Sequence, residues 1–251
     1  MPVTVSSVLS ARGVSKTYHS HAGAVPALRS VDLDIHPGEL VTVLGPSGNG
    51  KTTLLNCLSG IDSIDAGTVV IDGDDIHQLS DQERTKHRAS RMGFVFQSFN
   101  LIPVLSAKEN VEVPLAVLGV NRRESHRRAT ELLDRVGLGD RCGNRPRELS
   151  GGEQQRVAIA RALVTNPAIV WADEPTGNLD SETAADVLAL LHDVRNAGQT
   201  VVMVTHDPNI GRSGDRSVHV RNGRIDYDGP PKAMGDRDSK DPGSNGPDDM
   251  P

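Results

Sequence analysis

The sequence predicts an α/β fold with a mainly parallel core sheet, an antiparallel β subdomain and an inserted helical subdomain. Short β-rich runs alternate with helical stretches, the order expected of a parallel sheet covered by helices. Three of the runs, Leu40–Leu44, Ala168–Ala172 and Thr200–Val204, are almost continuously apolar, as strands buried on both faces must be. Each ends in polar residues, Gly45 onward, Asp173-Glu174 and Thr205-His206-Asp207. Ligands of open α/β sheets collect at the carboxyl ends of the strands, so three loops point at one place.

Taken in chain order, Leu9 to Ile35 reads as antiparallel strands beside the main sheet, as does Asp65 to Asp72 with Gly67 among alternating Val and Ile. The first buried run leads into Gly45-Pro46-Ser47-Gly48-Asn49-Gly50-Lys51-Thr52 and a helix that starts near Lys51. From Asp81 to Val164 helix signals dominate, among them Ser80 to Glu83 and Arg122 to Val136, and this stretch reads as the helical subdomain. Ser150 with Glu153 forms a capping box for a helix to Leu163, and Asp180 is placed to N-cap a helix to Arg195. One domain is expected over residues 1–228, with one copy of each motif. Residues 229–251 are mostly Pro, Gly, Asp and Ser without an aromatic residue, which predicts a flexible tail.

Bulk properties exclude other classes. A chain of 251 residues can bury a real core, and a net charge of -6 lacks the basic excess of a general nucleic-acid binder. Cys57 and Cys142 match no paired zinc or redox spacing, which fits a reducing cytoplasm. Met1 to Ser10 has neither a positively charged start nor a long apolar stretch, and no run approaches the roughly 18 apolar residues of a membrane span.

The run from Gly45 to Thr52 satisfies G-x-x-x-x-G-K-[ST] between a strand and a helix, a phosphate-binding loop. Its glycines let backbone amides face inward, the helix N-terminus adds positive potential, Lys51 reaches the β and γ phosphates, and the Thr52 hydroxyl can ligate Mg. Thr53 continues the nucleotide-binding run. Asp173 and Glu174, adjacent at a strand end, divide the remaining work: one carboxylate to hold Mg, the next to orient or deprotonate the attacking water.

Leu149-Ser150-Gly151-Gly152-Glu153-Gln154-Gln155-Arg156 resembles the signature motif of ABC ATPases, a branch of the P-loop NTPases. Two helix-weakening glycines directly after a cap leave amides free for an anion, a second phosphate site. The resemblance runs from about Leu9 to Asp228. It implies a Mg-dependent ATPase in which Tyr18 stacks on adenine, Gln97 touches Mg and the attacking water, and His206 contacts the γ phosphate and links it to Glu174. It further implies that Ser150, Gly151 and Gly152 close over the ATP held by another subunit, while Asn178-Leu179-Asp180 senses that partner's site. The expected assembly is therefore a head-to-tail homodimer holding two ATP, closed by binding and released by hydrolysis. Membrane permease subunits are the implied partners, with the chain on the inner face of the cell membrane.

Asn49 stands where a small residue is common, and its amide is expected to tolerate the turn geometry. Trp171 stands where an aliphatic residue is usual, a built-in fluorescent reporter. Val111 to Val120 reads as core packing or as a groove for a permease helix. The runs Asp173 to Asp180, Phe96 to Pro103 and Glu109-Asn110-Val111 are similar to the branch containing lipoprotein-releasing and macrolide-exporting ATPases and the ATPase of the bacterial cell-division complex. That branch implies export or extraction, or else force transmission in a signalling or cell-division complex without transport.

Overall fold

In a computed structural model the described residues are 7–20 and 23–232; the start at residues 1–6 and the expected tail from residue 233 lie outside them. In chain order the elements are β1 (Leu9–Ser20), β2 (Gly23–Ile35), β3 (Leu40–Leu44), α1 (Lys51–Leu58), β4 (Ala66–Ile71), β5 (Asp74–Asp75), α2 (Asp81–Arg91) and β6 (Met92–Phe96). There follow α3 (Ala107–Val117), α4 (Arg122–Arg135), α5 (Gly151–Leu163), β7 (Ile169–Asp173), α6 (Ser181–Asn196), β8 (Thr200–Val204), α7 (Pro208–Gly211), β9 (Arg216–Arg221) and β10 (Arg224–Gly229).

The core sheet has the order β10-β9-β3-β8-β7-β6, parallel throughout except for β10 against β9. The three apolar runs lie side by side at its centre. Their lack of alternation has a direct cause. On one face Trp171, Val202 and Val204 pack with Leu54 and Leu58 of α1 and with Leu9, Val14 and Ile35 of the antiparallel strands. On the other, Val170, Ala172, Val201 and Met203 pack with Ile159 of α5 and Val187 and Leu191 of α6. Every second residue is thus claimed by one layer and its neighbours by the other. The second sheet, order β2-β1-β4-β5, is antiparallel as predicted.

The helical subdomain differs from the predicted 81–164 span. Its own core joins Val111 and Leu115 of α3, Leu133 of α4, and Val157 and Ala160 of α5. Within the same span, β6 pairs with β7 as an edge strand of the core sheet, and Ile159 and Ala162 of α5 belong to the core layer. Helix α5 therefore serves both bodies with two faces. The five-residue strand is hidden in the sequence between helix signals, and Gly93 is needed there because a Cβ would run into the Ala162 carbonyl. Cys57 and Cys142 are both free thiols, and burial pushes the Cys57 thiol up to about 12, far from a reactive thiolate.

Candidate nucleotide site

Helices α2, α3 and α5 open with Ser/Glu capping boxes, and Asn121 and Asp180 cap α4 and α6. Helix α1 has no side-chain cap and no acidic residue in its first turn. Its first amides are therefore left for an external anion. The loop before it, residues 45–50, is shaped by left-handed glycines. Gly45 has φ 151 and a Cβ there would collide with the Val220 carbonyl; Gly50 has φ 97 and its Cβ would lie 2.5 Å from the Ala27 carbonyl. The left-handed positions are Gly45, Gly48 and Gly50 rather than Asn49, so the expected reason for Asn49 is corrected. Asn49 instead acts as a clip: its Nδ2 donates to the Pro46 and Ser47 carbonyls (both 3.3 Å) and its Oδ1 accepts from the Asn222 amide at 2.8 Å. The Asn222-Gly223 turn between β9 and β10 thereby joins the phosphate loop, a contact the sequence reading missed.

A cavity of about 500 Å³ is lined by Gly48, Asn49, Gly50, Lys51, Thr52 and Thr53, by Tyr18 from β1, and by Asn222 and Gly223. Gly45 and Pro46 border a separate cavity of about 340 Å³ together with His206. Lys51 is only 7% exposed, and its ammonium donates to the Gly45 carbonyl at 2.7 Å and the Pro46 carbonyl at 3.2 Å. It is a cation held by neutral partners.

Beside it the Thr52 hydroxyl donates to Asp173 Oδ1 at 3.4 Å. Burial, then the charge of Glu174, raises the Asp173 pKa, against the opposing pull of Thr52 and Lys51. Among the described residues no group of three or more His, Cys, Asp or Glu is arranged to hold a metal ion by itself. Thr52 and Asp173 are instead a hard-oxygen pair beside a phosphate loop, a donor set that suits Mg, which shares its shell with phosphates and water.

Glu174 follows Asp173 with φ 48, a left-handed conformation that strains any residue with a Cβ. Its amide donates to Val204 O at 3.0 Å and its carbonyl accepts from the Gly177 amide at 3.0 Å, so β8 and the following turn hold it there. Its Oε1 lies 2.8 Å from His206 Nδ1, and His206 itself is exposed. Gln97 bonds the loop after Glu174 rather than the pair itself: its Nε2 donates to Asn178 Oδ1 at 3.2 Å, and Asn178 Nδ2 returns a bond to the Gln97 carbonyl at 3.0 Å. Asp180 caps α6 and also accepts from the Thr183 hydroxyl at 2.7 Å.

Ser150, Gly151 and Gly152 do not border the cavity around Lys51. The Ser150 side chain accepts from the Glu153 amide, and the Ser150 amide is taken by Glu153 at 2.7 Å. Gly152 has a packing reason the sequence did not disclose, because a Cβ there would strike the Thr183 side chain of α6. Gln155, fully buried on α5, donates to the Pro175 carbonyl at 2.5 Å and so ties this helix to the loop after Glu174.

Residues 28–177 match the family described as ABC transporter. The lipoprotein-releasing system ATP-binding protein LolD 2 of Caulobacter vibrioides is 46% identical over 220 residues, covering 87% of this chain and 96% of that protein. The macrolide export ATP-binding/permease protein MacB of Marinobacter nauticus is 43% identical over 212 residues, which cover 84% of this chain and 33% of that longer protein. Among solved structures, a dimeric post-hydrolysis ATP-binding cassette bound to ADP and Pi matches with a TM-score of 0.81 at 42% identity, over 90% of this chain and 100% of that one.

Proposed function

The chain belongs to the ABC transporter family as an ATP-binding subunit, and we propose that it hydrolyses Mg-ATP as one half of a head-to-tail pair that drives a separate membrane permease. The observation that carries this reading is the junction at the carboxyl ends of β3, β7 and β8. There an uncapped helix, a buried lysine, an Asp/Thr oxygen pair and a Glu-His pair meet.

In this reading Lys51 leaves its loop carbonyls for the β and γ phosphates, and the amides of residues 48–52 take the oxygens around them. Thr52 and Asp173 hold Mg, which when bound supplies neutralising charge to the phosphates. His206 engages Oε1 of Glu174 and so orients the carboxylate, leaving Oε2 to accept the proton of the attacking water. Ser150, Gly151 and Gly152 are left to serve the partner's nucleotide, with Asn178 and Asp180 beside them. Gln97 joins the water once its bond to Asn178 opens.

A groove of about 370 Å³, lined by Ile61, Phe94, Phe96, Val113, Pro114 and Val117, is where a permease helix docks in this account. Val111 and Leu115 of α3 are core, as expected, while Val117 is 49% exposed and lines the groove. Arg161 of α5 holds the Gln97 loop there by donating to the Phe99 and Asn100 carbonyls. No described helix is long and apolar enough to cross a membrane; in this account the chain is attached to the inner face of the membrane by the permease. The named functions of the two relatives favour export or extraction over import.

The test is steady-state ATP hydrolysis by the wild type beside Glu174→Gln, with and without Mg. The expected loss in the variant is about 10²–10³-fold, with ATP binding retained. Turnover within a few-fold of wild type removes Glu174 from the reaction.

A further inference from the structure

Tyr18 is a large aromatic residue left 41% exposed at the rim of the cavity, where an unsupported ring would swing about χ1. It is not unsupported. Its hydroxyl donates to Asp62 Oδ2 at 2.7 Å. The other oxygen, Asp62 Oδ1, accepts from Lys16 Nζ at 3.0 Å and from the Ser63 amide at 2.7 Å. Lys16 is 7% exposed, also donates to Ser63 Oγ, and lies over the Tyr18 ring at 5.3 Å from its centroid. A buried cation thus lies over the ring, which also lines the cavity.

The clamp is tied to the phosphate loop through the backbone. The Asp62 amide donates to the Asn56 carbonyl of α1 at 3.0 Å, and α1 begins at Lys51. Thr53, in the first turn of the same helix, lines the same cavity as Tyr18. The aromatic platform and the phosphate cradle are therefore held in one frame. Burial pulls the Asp62 pKa upward, but the hydrogen bonds from Tyr18 and Lys16 hold it below the usual carboxylate value. The carboxylate is ionised at neutral pH and accepts both donors at once.

We propose that Asp62 is a positioning residue that, with Lys16, locks Tyr18 at a fixed distance from the phosphate loop, so that the site selects a stacked nucleobase over a bare triphosphate. This rests on the reading of Tyr18 as the base platform. Base-aromatic stacking is strong enough, and steep enough in geometry, for a freed ring to cost measurable affinity.

The experiment is calorimetric titration of the full chain with ATP and, separately, with inorganic tripolyphosphate, which has no base. Variants are Tyr18→Ala, Tyr18→Phe and Asp62→Ala. Tyr18→Ala and Asp62→Ala are expected to weaken ATP by about tenfold, and Tyr18→Phe, which keeps the ring but loses the bond to Asp62, by about threefold. Tripolyphosphate affinity stays within about twofold in all three, because the loop is intact. Equal weakening of both ligands by Asp62→Ala overturns the inference, as does a Tyr18→Ala effect on ATP that neither Asp62→Ala nor Tyr18→Phe shares. If Asp62→Ala does not fold, Tyr18→Phe decides alone by the same ratio. If Tyr18→Ala leaves the ATP-to-tripolyphosphate ratio unchanged, the base-platform reading itself fails and the inference falls with it.

Discussion

Asp173 shows how this site trades stability for chemistry. Its carboxylate is drawn out of water beside a second carboxylate, and both effects raise its pKa. A raised value in the folded state means that Asp173 favours folding only while protonated. That contribution is full below the unfolded value and is lost as pH rises through the folded value. At neutral pH the ionised group opposes folding until a cation arrives. Asp173→Asn is therefore expected to raise the melting temperature of the nucleotide-free protein at pH 7 in chelator, with a smaller difference near pH 4, while Mg-ATP hydrolysis is lost. A lower melting temperature at pH 7 contradicts this. The neighbouring Glu174 adds backbone strain of about 1 kcal/mol or more at φ 48, which its bonds to Val204 and Gly177 hold in place. At this scale the sequence was most readable where chemistry needs contiguous residues, as from Gly45 to Thr52. It was silent on Asp62, 44 positions from Tyr18, because a lone Asp after a helix looks the same whether or not a phenol meets it. Asn49 was noticed as a departure, but its clip to the Asn222 amide depends on a turn 173 positions away.

Among the elements, α5 carries the most constraints. Its N-terminus presents Ser150, one face fills the helical core, another packs on the sheet, and Gln155 and Arg161 reach the loops after Glu174 and around Phe99. Its second glycine sets the approach to α6. Gly152→Ala should gain about 1 kcal/mol of helix propensity in isolation. Here the new methyl meets Thr183, which its bond to Asp180 keeps from turning away. The expected net effect is a destabilisation of about 1–3 kcal/mol by urea unfolding, relieved in the Gly152→Ala/Thr183→Ala double variant. An unchanged or higher midpoint in the single variant rejects the packing account. The capping boxes and the two-sided strands were legible because a helix start and a doubly buried strand each leave a local pattern. Strand β6 was not, since Met92 to Phe96 is a short apolar run within a helix-rich span and only its pairing with β7 defines it.

In the whole molecule the machinery is divided between two places. The phosphate loop, Asp173, Glu174 and His206 meet at the carboxyl ends of the central strands, whereas Ser150, Gly151 and Gly152 border none of the cavity around Lys51. In the proposed reading the site is completed by a second copy, with ATP at the junction as the shared ligand that favours the closed pair. The order of motifs along the chain made the two halves legible, and the resemblance already implied that the second half serves another subunit's ATP. The most direct measurement is sedimentation velocity of Glu174→Gln with and without saturating Mg-ATP. A monomer is expected without nucleotide and a dimer with it, reversed by Ser150→Arg. A Glu174→Gln protein that binds ATP and stays monomeric at every concentration contradicts the two-chain site.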